Sequence, residues 1–102
     1  MIMNFDELMS HIERRPEVYV GERNIFLLSA FLSGYLLNDA IRLGHRAEHD
    51  FQYDFGEWLR KKINYKLEHC WSTVINEMSI NENLDAVDVF FREYHLFRKE
   101  NI

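Results

Sequence analysis

The longest apolar tract of the chain, Ile25–Leu37, is the feature that most constrains its fold. Two serines and one glycine interrupt it, and it falls short of the ~20 apolar residues that a membrane-crossing helix needs. The wider segment from Asn24 to Leu43 is predicted to be one helix, with Gly44 as its C-terminal cap. Because this helix is apolar on nearly every side, we expect it to lie at the centre of a domain, with other helices packed around it.

The spacing of apolar residues predicts four more helices. The first begins after Asn4, its predicted N-cap, and ends before Pro16, because the residue before a proline avoids the helical region. The other three are predicted at residues 54–63, where Asp54 is the cap, 65–78 and 84–99. Residues 16–21 are predicted to be a short extended or turn segment, and 79–83 a turn. Residues 44–55 are predicted to be a loop, although the alternation of aromatic and polar residues over 51–55 would also suit a short extended segment.

The residues predicted to face inward on these four helices are Phe5, Leu8, Met9 and Ile12; Trp58 and Leu59; Leu67, Trp71, Val74, Ile75 and Met78; and Leu84, Val87, Phe90, Phe91, Tyr94 and Phe97. A chain of 102 residues is large enough for one core but too small for two. We therefore expect a single helical domain, residues 1–102, with an all-α fold. It should be a compact bundle of about five helices around the apolar central helix.

The net charge of −5 lies in the first part of the chain. Residues 1–59 hold ten acidic and five basic side chains, whereas residues 60–102 hold seven of each. An acidic surface does not favour binding to a nucleic-acid backbone, which requires clustered Lys and Arg. The short basic run Arg60-Lys61-Lys62 is predicted to be a solvated helix face. The overall charge instead favours encounter with a basic protein partner.

The single cysteine, Cys70, excludes an intramolecular disulfide and is compatible with a reducing compartment. The first residues lack the basic start and apolar stretch of a signal peptide. A cytoplasmic protein without a membrane contact is therefore expected.

The sequence His45-Arg46-Ala47-Glu48-His49 matches the H-x-x-E-H pattern of inverted zinc peptidases, in which two histidines bind the metal and the glutamate acts as a base. Such a site also needs a further protein ligand. The motif starts just beyond a predicted helix, and nothing in the spacing selects a third ligand among His69, His11, Asp50 and Asp54. His45 and His49 are therefore only a weak candidate metal site, and no metal or other cofactor is predicted.

Cys70 beside His69 is the other pattern with potential chemistry. Adjacent residues of a helix point about 100° apart, so adjacency alone does not create a nucleophile–base pair. Cys70 is expected to be buried or half-buried. No phosphate-binding loop, dinucleotide-binding glycine motif or G-x-S-x-G motif occurs in the chain. The sequence thus predicts a protein that is not an enzyme.

Residues 48–57 form the best candidate surface for binding a partner, because acidic and aromatic side chains alternate there. Acidic groups steer a basic partner, and aromatic rings fill its pockets after docking. The alternative is a loop whose aromatic rings pack under the apolar helix predicted over Asn24–Leu43 and whose acidic side chains are simply solvated. The predicted partner-binding residues are Glu48, Asp50, Phe51, Tyr53, Asp54 and Glu57.

Several segments taken together resemble small bacterial immunity-like proteins of contact-dependent growth inhibition and related polymorphic toxin systems. They are Arg15-Pro16 with Tyr19 and Gly21, then Ala30–Tyr35, Phe55 with Trp58-Leu59, Trp71 with Ile75, and Phe90-Phe91. The resemblance transfers no catalytic residue. It implies that the protein binds one cognate toxin, in many such systems a nuclease with a basic surface, and neutralises it by stoichiometric binding. We expect Tyr19 to pack on the apolar helix predicted over Asn24–Leu43, and Gly21 to permit a tight turn.

Two other functions stay open at this point. The chain could be a helical regulatory or scaffold module that binds a host protein or forms a homodimer. The second alternative is a small metal-dependent hydrolase built on His45 and His49.

Overall fold

The computed structural model describes residues 4–43 and 51–100, and it gives side-chain environments for 4–38 and 51–100. These residues form six helices and no strand. The predicted all-α bundle is therefore confirmed for the described part of the chain. Among its helices, none is both long enough and apolar enough to span a membrane. The helices are α1 Phe5–Arg14, α2 Pro16–Val20, α3 Ile25–Leu43, α4 Phe51–Ile63, α5 Trp71–Glu82 and α6 Ala86–Glu100.

Helix α1 forms as predicted, because its start and its end are both encoded locally. The side chain of Asn4 accepts a hydrogen bond from the backbone N–H of Glu7 at 2.8 Å, which satisfies one of the unpaired donors of the first turn. Arg15 leaves the helical region, as a residue before proline should. The four predicted inward residues, Phe5, Leu8, Met9 and Ile12, are all buried.

Residues Pro16–Val20 were predicted to be extended or a turn, and this prediction is wrong, because they form the short helix α2. Proline is well suited to the first position of a helix, since its fixed φ is already helical and its missing N–H would have no partner there. Gly21 ends α2 with a φ of 92°, which confirms the tight turn expected at this glycine. Tyr19 packs edge-on against Phe31 with ring centroids 6.3 Å apart, as predicted.

Helix α3 is the predicted apolar helix, but over residues 25–38, whose side chains the structure describes, only one of its faces is enclosed. Ile25, Leu28, Leu32 and Leu36 are buried under α2, α5 and α6. Asn24 caps the helix by accepting hydrogen bonds from the N–H groups of Phe26 and Leu27. On the opposite face, large apolar side chains remain exposed. The predicted cap at Gly44 lies outside the described residues.

Helix α4 starts at Phe51, so the predicted loop is wrong over residues 51–55. Asp54 lies within the helix and is not its cap. Phe51, Phe55 and Leu59 are buried at a spacing of four residues, which is the repeat of one helical face. The alternation of aromatic and polar residues that suggested an extended segment is a by-product of this repeat.

Helix α5 lies several residues later than predicted. Residues 64–70 are not helical, because Asn64 adopts a left-handed conformation with φ 56° after α4. Leu67, predicted to face inward, is 57% exposed. The predicted turn at 79–83 is also wrong up to Glu82. The helix ends at Asn83, another left-handed residue, with the paired backbone hydrogen bonds typical of a Schellman cap.

Helix α6 supplies much of the aromatic core, as predicted, although Leu84 precedes the helix and is 53% exposed. Phe55 of α4 is fully buried at the centre of this core. The centroid of its ring lies 5.5–6.0 Å from the centroids of five other rings. These rings come from three helices and are Phe51, Trp58, Trp71, Phe90 and Phe97.

A buried carboxylate joins three helices beside this core. Glu93 of α6 is 1% exposed and accepts hydrogen bonds from Lys62 Nζ at 2.6 Å and Arg92 Nε at 2.9 Å. Arg92 also makes a two-pronged contact with Glu82 at the end of α5. Both cations keep roughly 40% of their side chains in solvent, 38% for Lys62 and 41% for Arg92. The negative charge is therefore deep in the protein, and its compensating positive charges are at the surface.

A second polar cluster joins α1 to α6. Tyr94 Oη donates to the carboxylate of Asp6, and Arg98 Nε donates to the same carboxylate at 3.0 Å. The Arg98 guanidinium lies 5.5–5.9 Å from the centroids of four rings. Burial raises the pKa of Tyr94 to about 12; Arg98 opposes this shift, and Asp6 adds to it.

Candidate protein-binding surface

The predicted partner-binding residues divide into three groups in the structure. Glu48 and Asp50 lie outside the described residues. Phe51 is only 3% exposed and packs against Phe5 and Phe55, so its ring is part of the core and not of a surface. The other three, which we call the α4 surface, are Tyr53, Asp54 and Glu57.

The α4 surface presents an exposed aromatic ring beside two carboxylates. Tyr53 is 69% exposed, the highest exposed fraction of any aromatic residue among the described side chains. Asp54 makes no ion pair within the described residues, whereas Glu57 pairs with Arg60 one turn later at 2.7 Å. The helix thus places Tyr53, which was predicted to lie in a loop, beside Asp54 and Glu57 of the predicted helix.

An open groove of about 490 Å³ adjoins the α4 surface, between α4 and α6. Asp54 and Glu57 contribute its acidic wall, and Trp58 and Phe97 provide apolar surface. Trp58 Nε1 donates a hydrogen bond to Glu100 at 3.2 Å, which ties the two helices together at this groove. Lys61 and Arg98 place two cations in the same lining, so the groove combines charges of both signs with apolar surface. Its lining residues are Asp54, Glu57, Trp58, Lys61, Phe97 and Arg98.

The basic run on α4 is largely engaged within the protein. Arg60 donates to Glu57 and, at 2.8 Å, to the backbone carbonyl of His69, while Lys62 is held by Glu93. In the part of the chain that the structure describes, Lys61 is the one member of this run without an ion-pair partner. The run does not present the clustered free cations that a phosphate backbone requires.

Cys70 was predicted to be buried or half-buried, and the structure shows it exposed. It is the residue before α5, and its Sγ lies 3.0 Å from the hydroxyl of Ser72. Partial burial works to raise the pKa of the Cys70 thiol. Hydrogen bonds from the side chains and backbone N–H groups of Ser72 and Thr73 outweigh it, so the pKa lies below its ordinary value.

His69 does not contact the Cys70 thiol. Its Nδ1 lies 2.9 Å from the hydroxyl of Tyr65, which donates to Glu77. The hydrogen bond to Glu77 raises the pKa of the Tyr65 phenol, and desolvation adds to the effect. No hydrogen bond within residues 51–100 connects the His69, Tyr65 and Glu77 side chains to the Cys70 thiol. The geometry therefore does not make His69 and Cys70 a base–nucleophile pair.

Sequence reasoning missed a second groove, of about 550 Å³, at the far ends of α4 and α5. It is mainly apolar and is lined in part by Ile63, Met78 and Ile80. The prediction of a turn at 79–83 hid this surface, because Ile80 projects outward only when α5 continues past Met78. Ile80 is 69% exposed.

The candidate metal ligands are not brought together in the described structure. His45 and His49 lie outside it, and His11, His69 and Asp54 are exposed on α1, on the segment before α5 and on α4. Within residues 4–38 and 51–100, no three His, Cys, Asp or Glu side chains are grouped so that they could hold a metal ion.

Comparisons with known proteins give no relative for this chain. No family model matches it, and no curated protein and no solved structure is significantly similar to it. The resemblance to immunity-like proteins therefore stays a prediction from sequence features.

Proposed function

We propose that this chain is a cytoplasmic binding protein that neutralises one cognate protein toxin by forming a stoichiometric complex, in the manner of bacterial immunity proteins. The observation that carries the proposal is the α4 surface, where an exposed Tyr53 and two carboxylates adjoin a groove lined by aromatic rings and by charges of both signs. An exposed tyrosine beside a pocket is a common anchor of protein interfaces. The proposal involves no catalytic step by this chain.

The charge of the α4 surface supports a basic partner. Asp54 has no ion-pair partner among the described residues, and Glu57 is paired only with the neighbouring Arg60. A toxin that acts on nucleic acid presents cations to its substrate, and an acidic inhibitor can occupy the same cations. Tyr53 and the groove would then provide contact area once the charges have guided the encounter.

The proposal is tested by co-expressing a tagged form of this chain with the product of the neighbouring gene. We expect growth to depend on this chain and a one-to-one complex to be recovered. Replacing Asp54 by Asn and Glu57 by Gln should slow association roughly tenfold at low salt, because rim charges act mainly on the on-rate. Replacing Tyr53 by Ala should raise the dissociation rate.

The matched control removes the same charge elsewhere. Glu17 on α2 and Glu22 in the following turn are exposed, and α2 packs against α1 and α3. Replacing both by Gln should leave association unchanged. Growth that does not depend on this chain would refute the proposed function. Equal effects of the two pairs of charge changes on association would refute the proposed surface.

A further inference from the structure

Helix α3 carries an exposed apolar face opposite its buried face. Phe26, Leu27 and Leu37 are 48%, 41% and 51% exposed, and the small residues Ala30 and Gly34 between them are exposed as well. All five lie on the side of the helix that points away from Leu28, Leu32 and Leu36. Contiguous exposed apolar surface of this kind marks a site of association in a protein that stays in solution.

The face has the spacing of a helix–helix seam. Leu27, Ala30, Gly34 and Leu37 follow one another at intervals of three, four and three residues, which is the repeat by which two helices pack along a line. Large residues stand at both ends of this series, and small ones stand in the middle. The space around Gly34 is open, since an added Cβ would meet nothing within 4 Å.

The order of sizes makes the face complementary to itself. Read in either direction, the series runs large, small, small, large, so a second copy running antiparallel would place Leu37 next to Leu27. The small residues would then meet at the crossing point, where two helix backbones approach most closely. This is the arrangement of a two-fold symmetric interface, in which the same patch is used twice.

Charge favours a second copy as the occupant over a basic partner. Residues 24–38 contain no Asp, Glu, Lys or Arg, although the chain as a whole carries a net charge of −5. Two acidic molecules can therefore meet along this stretch of α3 without opposing like charges. A basic partner would find no carboxylate in the stretch to pair with, in contrast to the α4 surface.

We infer that the exposed face of α3 is an antiparallel homodimer interface, separate from the proposed toxin-binding surface. A helix of 19 residues is about 28 Å long and about 10–12 Å wide with its side chains. One pair of such helices buries less than the ~1,200–2,000 Å² of typical stable complexes. The dimer should therefore be reversible and depend on protein concentration.

Sedimentation equilibrium of the intact chain over a wide concentration range tests this inference. The wild type should pass from the monomer mass toward twice that mass. Leu37→Lys should lower the association constant at least about tenfold, because it places an unpaired charge in the seam. Ile80→Lys, a matched change at an exposed apolar residue of α5, should leave it unchanged. Far-UV circular dichroism confirms that both variants are folded.

Cross-linking tests the antiparallel geometry. In a Cys70→Ser background, a mixture of Leu27→Cys and Leu37→Cys chains should be cross-linked by a short bismaleimide more efficiently than either variant alone. A chain that stays monomeric at every concentration would overturn the inference, and so would a dimer that tolerates Leu37→Lys. If either variant alone were cross-linked as efficiently as the mixture, the antiparallel pairing would be overturned. None of these outcomes bears on toxin binding.

Discussion

The buried carboxylate of Glu93 leads to a prediction about which of two charge deletions destabilises the protein more. Removing a cation that pairs with the carboxylate should cost more than neutralising the carboxylate itself. We compare Lys62→Met, which removes one of its cations, with Glu93→Gln, which neutralises the carboxylate itself. Methionine keeps the packing of the lysine stem, and glutamine keeps the size of glutamate and its ability to hydrogen-bond. The two variants therefore differ in whether a buried charge is left behind, and Lys62→Met also removes an ammonium that lies 5.2 Å from the centroid of the Trp58 ring.

The magnitude follows from the difference in burial. After Lys62→Met, the carboxylate of Glu93 stays 1% exposed with Arg92 as its remaining cation. The loss of a charge-assisted hydrogen bond by a buried group costs about 1.5–3 kcal/mol. After Glu93→Gln, the cations left over are already partly in solvent and can be hydrated, so we expect a cost of about 1 kcal/mol. The double variant should be no less stable than Lys62→Met, because it leaves no buried charge.

Urea unfolding followed by far-UV circular dichroism measures these differences in the free energy of unfolding. Lys61→Met is the control, since Lys61 is exposed and has no ion-pair partner among the described residues. It should change stability by less than about 0.5 kcal/mol. If Glu93→Gln were more destabilising than Lys62→Met, or if the two effects simply added, the argument from the buried carboxylate would be refuted.

Two further predictions concern the titration of single groups. The pH midpoint for alkylation of Cys70 by iodoacetamide should be lower in the folded protein than in the urea-unfolded chain, because the fold lowers the pKa of this thiol, and Ser72→Ala should raise the midpoint of the folded protein. An unchanged midpoint would show that the Ser72 hydroxyl does not stabilise the thiolate. For Tyr94, phenolate absorbance should show a group that ionises at pH about 12 in the folded protein. Because this folded-state pKa lies above the unfolded value of about 10, the associated stability is fully present below pH 10 and is lost as the pH rises through 12. Alkaline unfolding that Tyr94→Phe leaves unaltered would contradict this.

The elements that the sequence predicts well are those whose signals are local. Helix α1 has a capping asparagine, an apolar repeat and a proline stop, and it begins and ends as expected. The inward positions of α6 from Val87 to Phe97 are also as predicted, because the aromatic repeat there continues over three turns. In both cases neighbouring residues alone define the buried face.

The errors arise where two local patterns compete. Phe51, Tyr53 and Phe55 alternate as in a strand, yet Phe51 and Phe55 also lie one helical turn apart. Burial of both rings in the core decides in favour of the helix. At Asn64, a residue able to adopt the left-handed conformation ends α4, and the sequence offers no comparable signal that the next helix waits until Trp71.

The candidate surfaces depend on packing that no local pattern contains. The composition of α3 predicts a buried helix, but how many of its sides are covered depends on where the other helices pack. The structure covers one face and leaves Phe26, Leu27 and Leu37 in solvent. Likewise, the sequence shows that Phe51 and Tyr53 are neighbouring aromatics, but it does not show which of them faces the core. The packing of α4 buries Phe51 and leaves Tyr53 exposed.

The contacts between α1 and α6 also determine the order in which the chain can fold during synthesis. Asp6 reaches its partners at Tyr94 and Arg98, and Glu13 pairs with His95, so these contacts span more than 80 residues. A ribosome must release nearly all of this sequence before α1 can complete its packing. Until then the apolar face of α1 has no α6 to cover it. The docking of α1 on α6 therefore has to wait for the synthesis of α6, and chaperones that bind exposed apolar segments can engage α1 during that interval.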